Sequence, residues 1–372
     1  MKLVYKTGLV ALILVSSLSV LVGHVYYSKQ EFSKTIKKEY SISPTGTASL
    51  QNKYGNIVIQ TWEKDRVKVE VTILVRAKNE AESQRVFDQI NIAFSNTQDR
   101  LSVATEIEES GSWWGGSQVK GDFSINYLVL IPTTLNLEVG NKYGNVDIAE
   151  CKGRAEIELK YGNLQADGFG GDVDLVFGYG NAQFGSVRDL QTTLSNAVVE
   201  IGTARDVLLE SKYSNVSVGN VRELRSEAKY DELKISKANV VRFQAKFSNL
   251  IVREAENVNA IAKYSDIRID ELRNSADLDL EYGAVKVNKI ARGFSEVRMA
   301  GAYTDFAVEV ESGASYQLDA SADYAGIIYP SGMEISRMRE AGVSQEVVGH
   351  MGTPNARSVI RARLDYGGLR LQ

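Results

Sequence analysis

The sequence predicts an all-β chain: a single-chain β-solenoid (parallel β-helix) of about a dozen short coils of 17–18 residues. A β-rich N-terminal insertion and an N-terminal hydrophobic helix complete that expectation. Three observations carry it. A short motif centred on an aromatic residue recurs along most of the chain, and such self-similarity signals a stacked repeat. Apolar residues alternate on both sides of the motif, which is strand periodicity. Residue usage leans to Val, Ile, Tyr, Gly and Asn, with only 4 prolines to interrupt strands.

The motif reads Lys-Tyr-Gly-Asn at 53–56, 142–145 and 160–163, and Gly-Tyr-Gly-Asn at 178–181. Later copies are Lys-Tyr-Ser-Asn (212–215), Lys-Tyr-Asp-Glu (229–232), Lys-Phe-Ser-Asn (246–249) and Lys-Tyr-Ser-Asp (263–266). The aromatic column is therefore Tyr54, Tyr143, Tyr161, Tyr179, Tyr213, Tyr230, Phe247, Tyr264 and Tyr282. Degenerate copies surround Tyr303, Tyr324 and Tyr366, and Leu194 reads as the aromatic's stand-in within Leu-Ser-Asn-Ala. Apolar or small residues stand two, four and six places before the aromatic, as in Ala245, Phe243 and Val241 before Phe247. Others stand three and five places after it, as in Leu250 and Val252. A phase slip across the Gly-Asn pair predicts a tight corner between two strands. Stacked at ~4.8 Å, a dozen coils make a rod of about 55–60 Å.

In chain order, 1–28 is a signal peptide or signal anchor: Lys2 and Lys6 precede an apolar run long enough to span a bilayer. Residues 40–135 hold the first coil and a β-rich cap or insertion. Its expected strands are 67–75, 101–107 and 123–131, with a helical piece at 80–89. Residues 136–330 are the repeats, 331–358 a polar insertion with helical stretches at 333–341 and 344–350, and 359–372 the terminal coil. Caps at the two ends suit a solenoid, whose open strand edges otherwise recruit other chains.

Composition narrows the function. A net charge of −4 gives no electrostatic reason to expect nucleic acid. The single cysteine, Cys151, excludes an intramolecular disulfide and reads as a small buried residue. Of the 2 histidines, His24 lies in the export segment, which leaves His350. No Ser-His-Asp set, zinc-ligand cluster or phosphate loop appears, so no cofactor is expected and the chain reads as non-enzymatic. Asp172 and Asp174, like Asp277 and Asp279, alternate with core residues and read as outward strand positions rather than a glycosidase pair.

The candidate binding residues lie on the repeat and on one loop. Lys212, Lys229, Lys246 and Lys263 fall on successive coils with outward parity, preceded by Lys142 and Lys160. They read as a solvated face balanced by acids such as Glu158, Glu210 and Glu227, or as a basic stripe for an anionic glycan. The Asn column (Asn56, Asn145, Asn163, Asn181, Asn196, Asn215 and Asn249) reads as an amide ladder rather than a sugar site. The aromatic column shares the parity of the core and is expected to pack inside. Trp113 and Trp114, within Gly-Ser-Trp-Trp-Gly-Gly, predict an exposed hairpin tip suited to a sugar ring, a membrane surface or a partner.

The opening Asn52-Lys-Tyr-Gly-Asn-Ile-Val-Ile-Gln-Thr-Trp62, the Lys-Tyr-Gly-Asn coils and the final Asp365-Tyr-Gly-Gly-Leu369 resemble the bacterial adhesin-like β-strand-repeat family of autotransporter-adhesin head type. The resemblance spans nearly all the chain after residue 40, and its motif is structural. It implies a β-solenoid in the cell envelope and no particular reaction. Ending at Leu-Arg-Leu-Gln, the chain has no room for a membrane barrel of its own. The functional expectation is an exported envelope scaffold in the periplasm or at the cell surface, which meets a glycan or another envelope protein. It meets the membrane only through an uncleaved N-terminal segment. The alternatives are a glycan-active β-helix enzyme and an envelope-stress scaffold held at the inner membrane.

Overall fold

The computed structural model describes residues 29–108 and 122–372. They are almost wholly β, joined in one 22-stranded sheet, with one helix, Glu80–Asp88, among the described residues. The apolar segment at 1–28 and the hairpin tip expected at Trp113 and Trp114 lie outside the described residues. No helix among the described residues is long and apolar enough to cross a membrane.

Each copy pairs in parallel with the next. Lys142 faces Lys160, Lys160 faces Gly178, Lys212 faces Lys229 and Lys246 faces Lys263, so the register advances one motif per strand. Pairing lapses twice within a copy, between Val218 and Asn220 and between Val221 and Glu223. The copy at 215–229 therefore makes three paired runs, 215–218, 220–221 and 223–229. Alternation puts Val216 and Val218, Val221, then Leu224, Ser226 and Ala228 inside. All the apolar members of these runs join one hydrophobic cluster that extends through the described chain. A single copy has too few such residues to fold alone. Each buried Val or Leu contributes about 1.5–3 kcal/mol, and a copy gains that burial only against its neighbours.

The N-terminal excursion contains the expected strands, as Arg66–Ala77, Arg100–Ile107 and Asp122–Pro132. The helix starts at the cap Asn79, whose side chain accepts the Glu82 N–H at 2.9 Å. Arg100–Ile107 and Asp122–Pro132 lie in parallel against the two strands of the first copy, Thr47–Lys53 and Ile57–Trp62. Beyond them the pairing turns antiparallel, with Arg66–Ala77 against Asp122–Pro132 and Gln30–Ser41 outermost.

Two expectations fail at the other end. The stretches at 333–341 and 344–350 are not helical: Glu334–Ala341 and Ser344–Met351 form an antiparallel hairpin turned at Gly342. Glu, Arg and Met favour helix, but the free edge of Tyr316–Asp323 offers a ladder, and Ser344–Met351 takes it. The segment after 358 is terminal in sequence but not in space. Ser358–Asp365 inserts between Glu296–Ala302 and Tyr316–Asp323, in parallel with both.

Candidate binding face

The corner of each copy is made by the aromatic residue itself. Tyr54, Tyr143, Tyr161, Tyr179, Tyr213, Tyr230, Phe247, Tyr264 and Tyr282 all have φ between +53° and +64°. The left-handed conformation breaks the alternation at this residue, so the next residue points inward instead: Ser214, Asp231, Ser248 and Ser265 are buried. The aromatic column is therefore outside the core, contrary to its parity. Tyr213 is 51% exposed, Tyr230 41% and Phe247 45%. The phase slip lies on the aromatic, not across the Gly-Asn pair that follows.

Outside, the rings stack. Tyr54, Tyr143, Tyr161 and Tyr179 form one column with centroids 4.8–5.3 Å apart. Tyr213, Tyr230, Phe247, Tyr264, Tyr282 and Tyr303 form a second, which continues through Tyr366 to Tyr324. Between the columns the aromatic's place is held by Asn196, with φ +52°. Leu194, expected there, is two residues too early and is buried in the core. Asn196 consequently leaves the Asn column, whose place in that copy is taken by Val198.

Lys212, Lys229, Lys246 and Lys263 run beside the second column on register-matched positions, all exposed. Lys263 pairs with Glu281 at 2.7 Å, and Lys160 with Glu158 at 3.1 Å. Lys212, Lys229 and Lys246 have no carboxylate partner among the described residues, so Glu210 and Glu227 do not provide the expected neutralisation. Instead the Lys212 and Lys229 ammonium groups lie 5.1 and 5.5 Å from the centroids of Tyr213 and Tyr230. A shallow groove of about 600 Å³ runs beside them, with Glu210, Glu227, Gln244 and Ile261 on its floor.

Asparagine side chains tie the corners together. Asn56 Oδ1 accepts the Asn145 N–H at 2.9 Å, Asn145 Oδ1 that of Asn163 at 2.9 Å, and Asn163 Oδ1 that of Asn181 at 3.1 Å. Asn249 Oδ1 does the same for Asp266 at 3.1 Å. Asn215 occupies the corresponding register position opposite Glu232. On this flank a second groove, about 450 Å³, is lined by the amides of Asn145, Asn163, Asn181, Gln165 and Gln183, with Asp147, Val198 and Glu200 beside them.

Two arrays were missed in the sequence. In the first, backbone N–H groups of Ala197, Ser214, Asp231 and Ser248 each donate to the side chain one copy on: Ser214, Asp231, Ser248 and Ser265. Asp231 is the one acid in that run of hydroxyls, and burial pushes its carboxyl above the usual range. In the second, Asp172, Arg188, Asp189, Arg205, Asp206 and Arg222 alternate as an exposed ion-pair ladder. The Arg188 guanidinium holds the Asp172 carboxyl below its ordinary value. The signal was present in Arg-Asp and Arg-Glu pairs at 188–189, 205–206 and 222–223.

Cys151 is buried, and burial pushes its thiol up to about 12. Asp174 pairs with Arg154 on the outer surface. Among the described residues no group of three or more His, Cys, Asp or Glu side chains converges to hold a metal ion.

No family model and no curated protein matches the chain. Among solved structures it is similar to a candidate cell adhesion protein from Clostridium sporogenes, with 8% identity, a TM-score of 0.19, and 91% of this chain and 99% of that one covered. A candidate adhesin from Bacteroides fragilis shares 12% identity at a TM-score of 0.27, covering 91% and 97%. Another from Parabacteroides merdae shares 11% at 0.30, covering 68% and 95%. Likeness at this level carries no argument about function.

Proposed function

We propose that the chain is a non-enzymatic cell-envelope β-solenoid, adhesin-like in kind, whose lysine and aromatic face binds an extended anionic glycan. The observation that carries this is the register of two exposed rows: unpaired ammonium groups at Lys212, Lys229 and Lys246 beside a continuous stack of rings. Both rows repeat with every copy, so a polymer meets the same contacts again and again, and weak contacts sum to useful avidity. Ammonium groups held near ring faces suit carboxylated sugars, whose ring hydrogens pack on aromatics while the carboxylate meets the cation.

The test is affinity electrophoresis of the full-length chain through gels containing polygalacturonate, with neutral dextran as control. The wild type is expected to be retarded by polygalacturonate alone. Reversing two charges, Lys229→Glu with Lys246→Glu, is expected to abolish the retardation while circular dichroism stays unchanged. Equal mobility of the wild type in both gels, or equal retardation of the double variant, would sink the proposal.

A further inference from the structure

The two ring columns stop on either side of one copy, and that copy departs from both neighbours in the ring row and in the Asn row at once, within a gap in the lysine row that also takes in Gly178. Ser195 stands where Lys212 and its successors stand, Asn196 replaces the ring, and Val198 replaces the Asn of the amide ladder. The copy is nevertheless built normally inside. Leu194, Ala197 and Val199 are buried, the Ala197 N–H reaches Ser214 Oγ at 3.2 Å, and the corner keeps φ +52°. Asparagine accepts that left-handed conformation at little cost. The corner is thus preserved with the ring alone left out.

Omitting one ring from a stack opens a notch. With strands ~4.8 Å apart, Tyr179 and Tyr213 face each other across about 9.6 Å, twice the strand spacing. One ring at a contact distance of about 3.5–4.0 Å from each wall fits between them. The floor is polar, because Asn196 Nδ2 is turned onto Ser195 Oγ at 3.0 Å and both residues are solvent-accessible. The notch also joins the two grooves of this face. The lysine-flanked groove includes Thr193 and Lys212 beside it, and the amide-lined groove reaches Val198 and Glu200 on its other side.

We infer that this notch is the ring-binding subsite of the face, in which one pyranose of an acidic oligosaccharide is held between Tyr179 and Tyr213. Lys212 meets the carboxylate of that unit or the next, and the strand of sugars crosses the corner into the groove lined by Asn181 and Gln183. A sugar fits this combination better than a planar aromatic side chain. Ring walls, an amide and hydroxyl floor, a cation on one side and hydrogen-bonding amides on the other serve hydroxyls and a carboxylate, which an aromatic side chain lacks. The inference rests on the glycan-binding reading and gives it a fixed point along an otherwise repetitive surface.

The experiment is calorimetric titration of the full-length chain with trigalacturonate, run beside the polygalacturonate gels. Asn196→Tyr fills the notch and joins the two columns. It is expected to raise the melting temperature and weaken trimer binding at least tenfold, with polymer retardation by the lysine row retained. Tyr179→Ala removes one wall, leaves Asn196 untouched, and is expected to weaken the trimer by a similar factor. Asn196→Gly, which keeps the corner and the opening but removes the amide from the floor, is expected to bind the trimer more weakly than wild type and more tightly than Asn196→Tyr does. If either Asn196→Tyr or Tyr179→Ala binds the trimer as wild type does, the notch is not the site. A wild type that is retarded by the polymer but ignores the trimer overturns the notch and leaves the glycan reading standing. A wild type that ignores both overturns the two together.

Discussion

At every corner but that of Asn196, one aromatic residue holds a conformation that its own chemistry disfavours. A left-handed backbone costs a residue with a Cβ about 1–2 kcal/mol, which is why Gly and Asn usually fill such places. Here the cost is offset by two stacking contacts, each contributing about 0.5–1.5 kcal/mol. Tyr264, stacked 4.9 Å from both Phe247 and Tyr282, shows the balance. Tyr264→Ala keeps the backbone cost and loses both contacts, so it is expected to destabilise the chain by about 1–3 kcal/mol in denaturant titration. The residue after the aromatic obeys a different constraint. A Cβ on Gly144 or Gly162 would sit 1.9 or 2.0 Å from the carbonyl oxygen of Gly55 or Gly144, so those corners need glycine. In the four copies from Tyr213 to Tyr264, and again after Tyr303, a buried hydroxyl or carboxyl is seated there instead: Ser214, Asp231, Ser248, Ser265 and Thr304. Asp231 is the weak member of that row. Burial raises its pKa in the fold, so its contribution to stability is fully present below the ordinary Asp value of about 3.9. That contribution is lost as pH rises through the folded pKa, because the charged form is then held away from water. Asp231→Ser, which matches Ser214, Ser248 and Ser265, is expected to melt higher than wild type at pH 7. The advantage should vanish below about pH 4. Parallel melting curves at the two pH values decide it, and a Ser variant that melts lower at pH 7 would refute the assignment.

At the scale of the element, the repeat carries three outward ladders with unequal energetic weight. The ring stack excludes water between faces, whereas the Asp172–Arg222 ion-pair ladder stands in solvent, where charge pairs contribute little and salt screens them. Arg205→Ala, which removes contacts to both Asp189 and Asp206, is therefore expected to lower the denaturation midpoint less than Tyr264→Ala does. Its effect should disappear in 1 M salt, roughly where the screening length falls to about 3 Å, while the Tyr264 effect persists. Much of this element was legible beforehand. Strand periodicity around Phe247 and Tyr161 identified the buried rows, since an alternating pattern has only one face to bury. The side taken by the aromatic was not legible, because parity counting assumes an extended backbone and one residue at positive φ reverses it. The place of Asn196 was hidden for a related reason. A motif read by residue type aligns Asn with Asn, whereas the fold aligns it by conformation, and Asn and Tyr are equivalent here only in carrying the corner. The helical reading of 333–350 failed because local propensity says nothing about the sheet edge left open beside Tyr316–Asp323.

For the whole molecule, the consequential feature is that its last segment is not at its end. Ser358–Asp365 and Gly368–Leu371 lie between the copy ending in Val310 and the strands Tyr316–Asp323 and Gly326–Ile328, and Tyr366 stacks between Tyr303 and Tyr324. The C-terminal hairpin is thus attached to the repeat array chiefly through residues synthesised after it. Stacked repeats gain stability mainly from nearest neighbours, so a defect should stay local. Removing 358–372 deletes the strand that joins 296–310 to 316–328, and the hairpin at 334–351 rides on the latter. The truncated chain is expected to lose amide-exchange protection throughout 316–351, while protection from 164 to 263 remains at wild-type levels. It should also associate with itself, because Glu296–Val310 then presents a long unpaired parallel edge. Exchange measured by mass spectrometry, with light scattering on the same samples, reads both effects. Collapse of protection across 164–263 in step with the C-terminal strands would show instead that the array folds as one cooperative unit, closed only when its final strand slides into place.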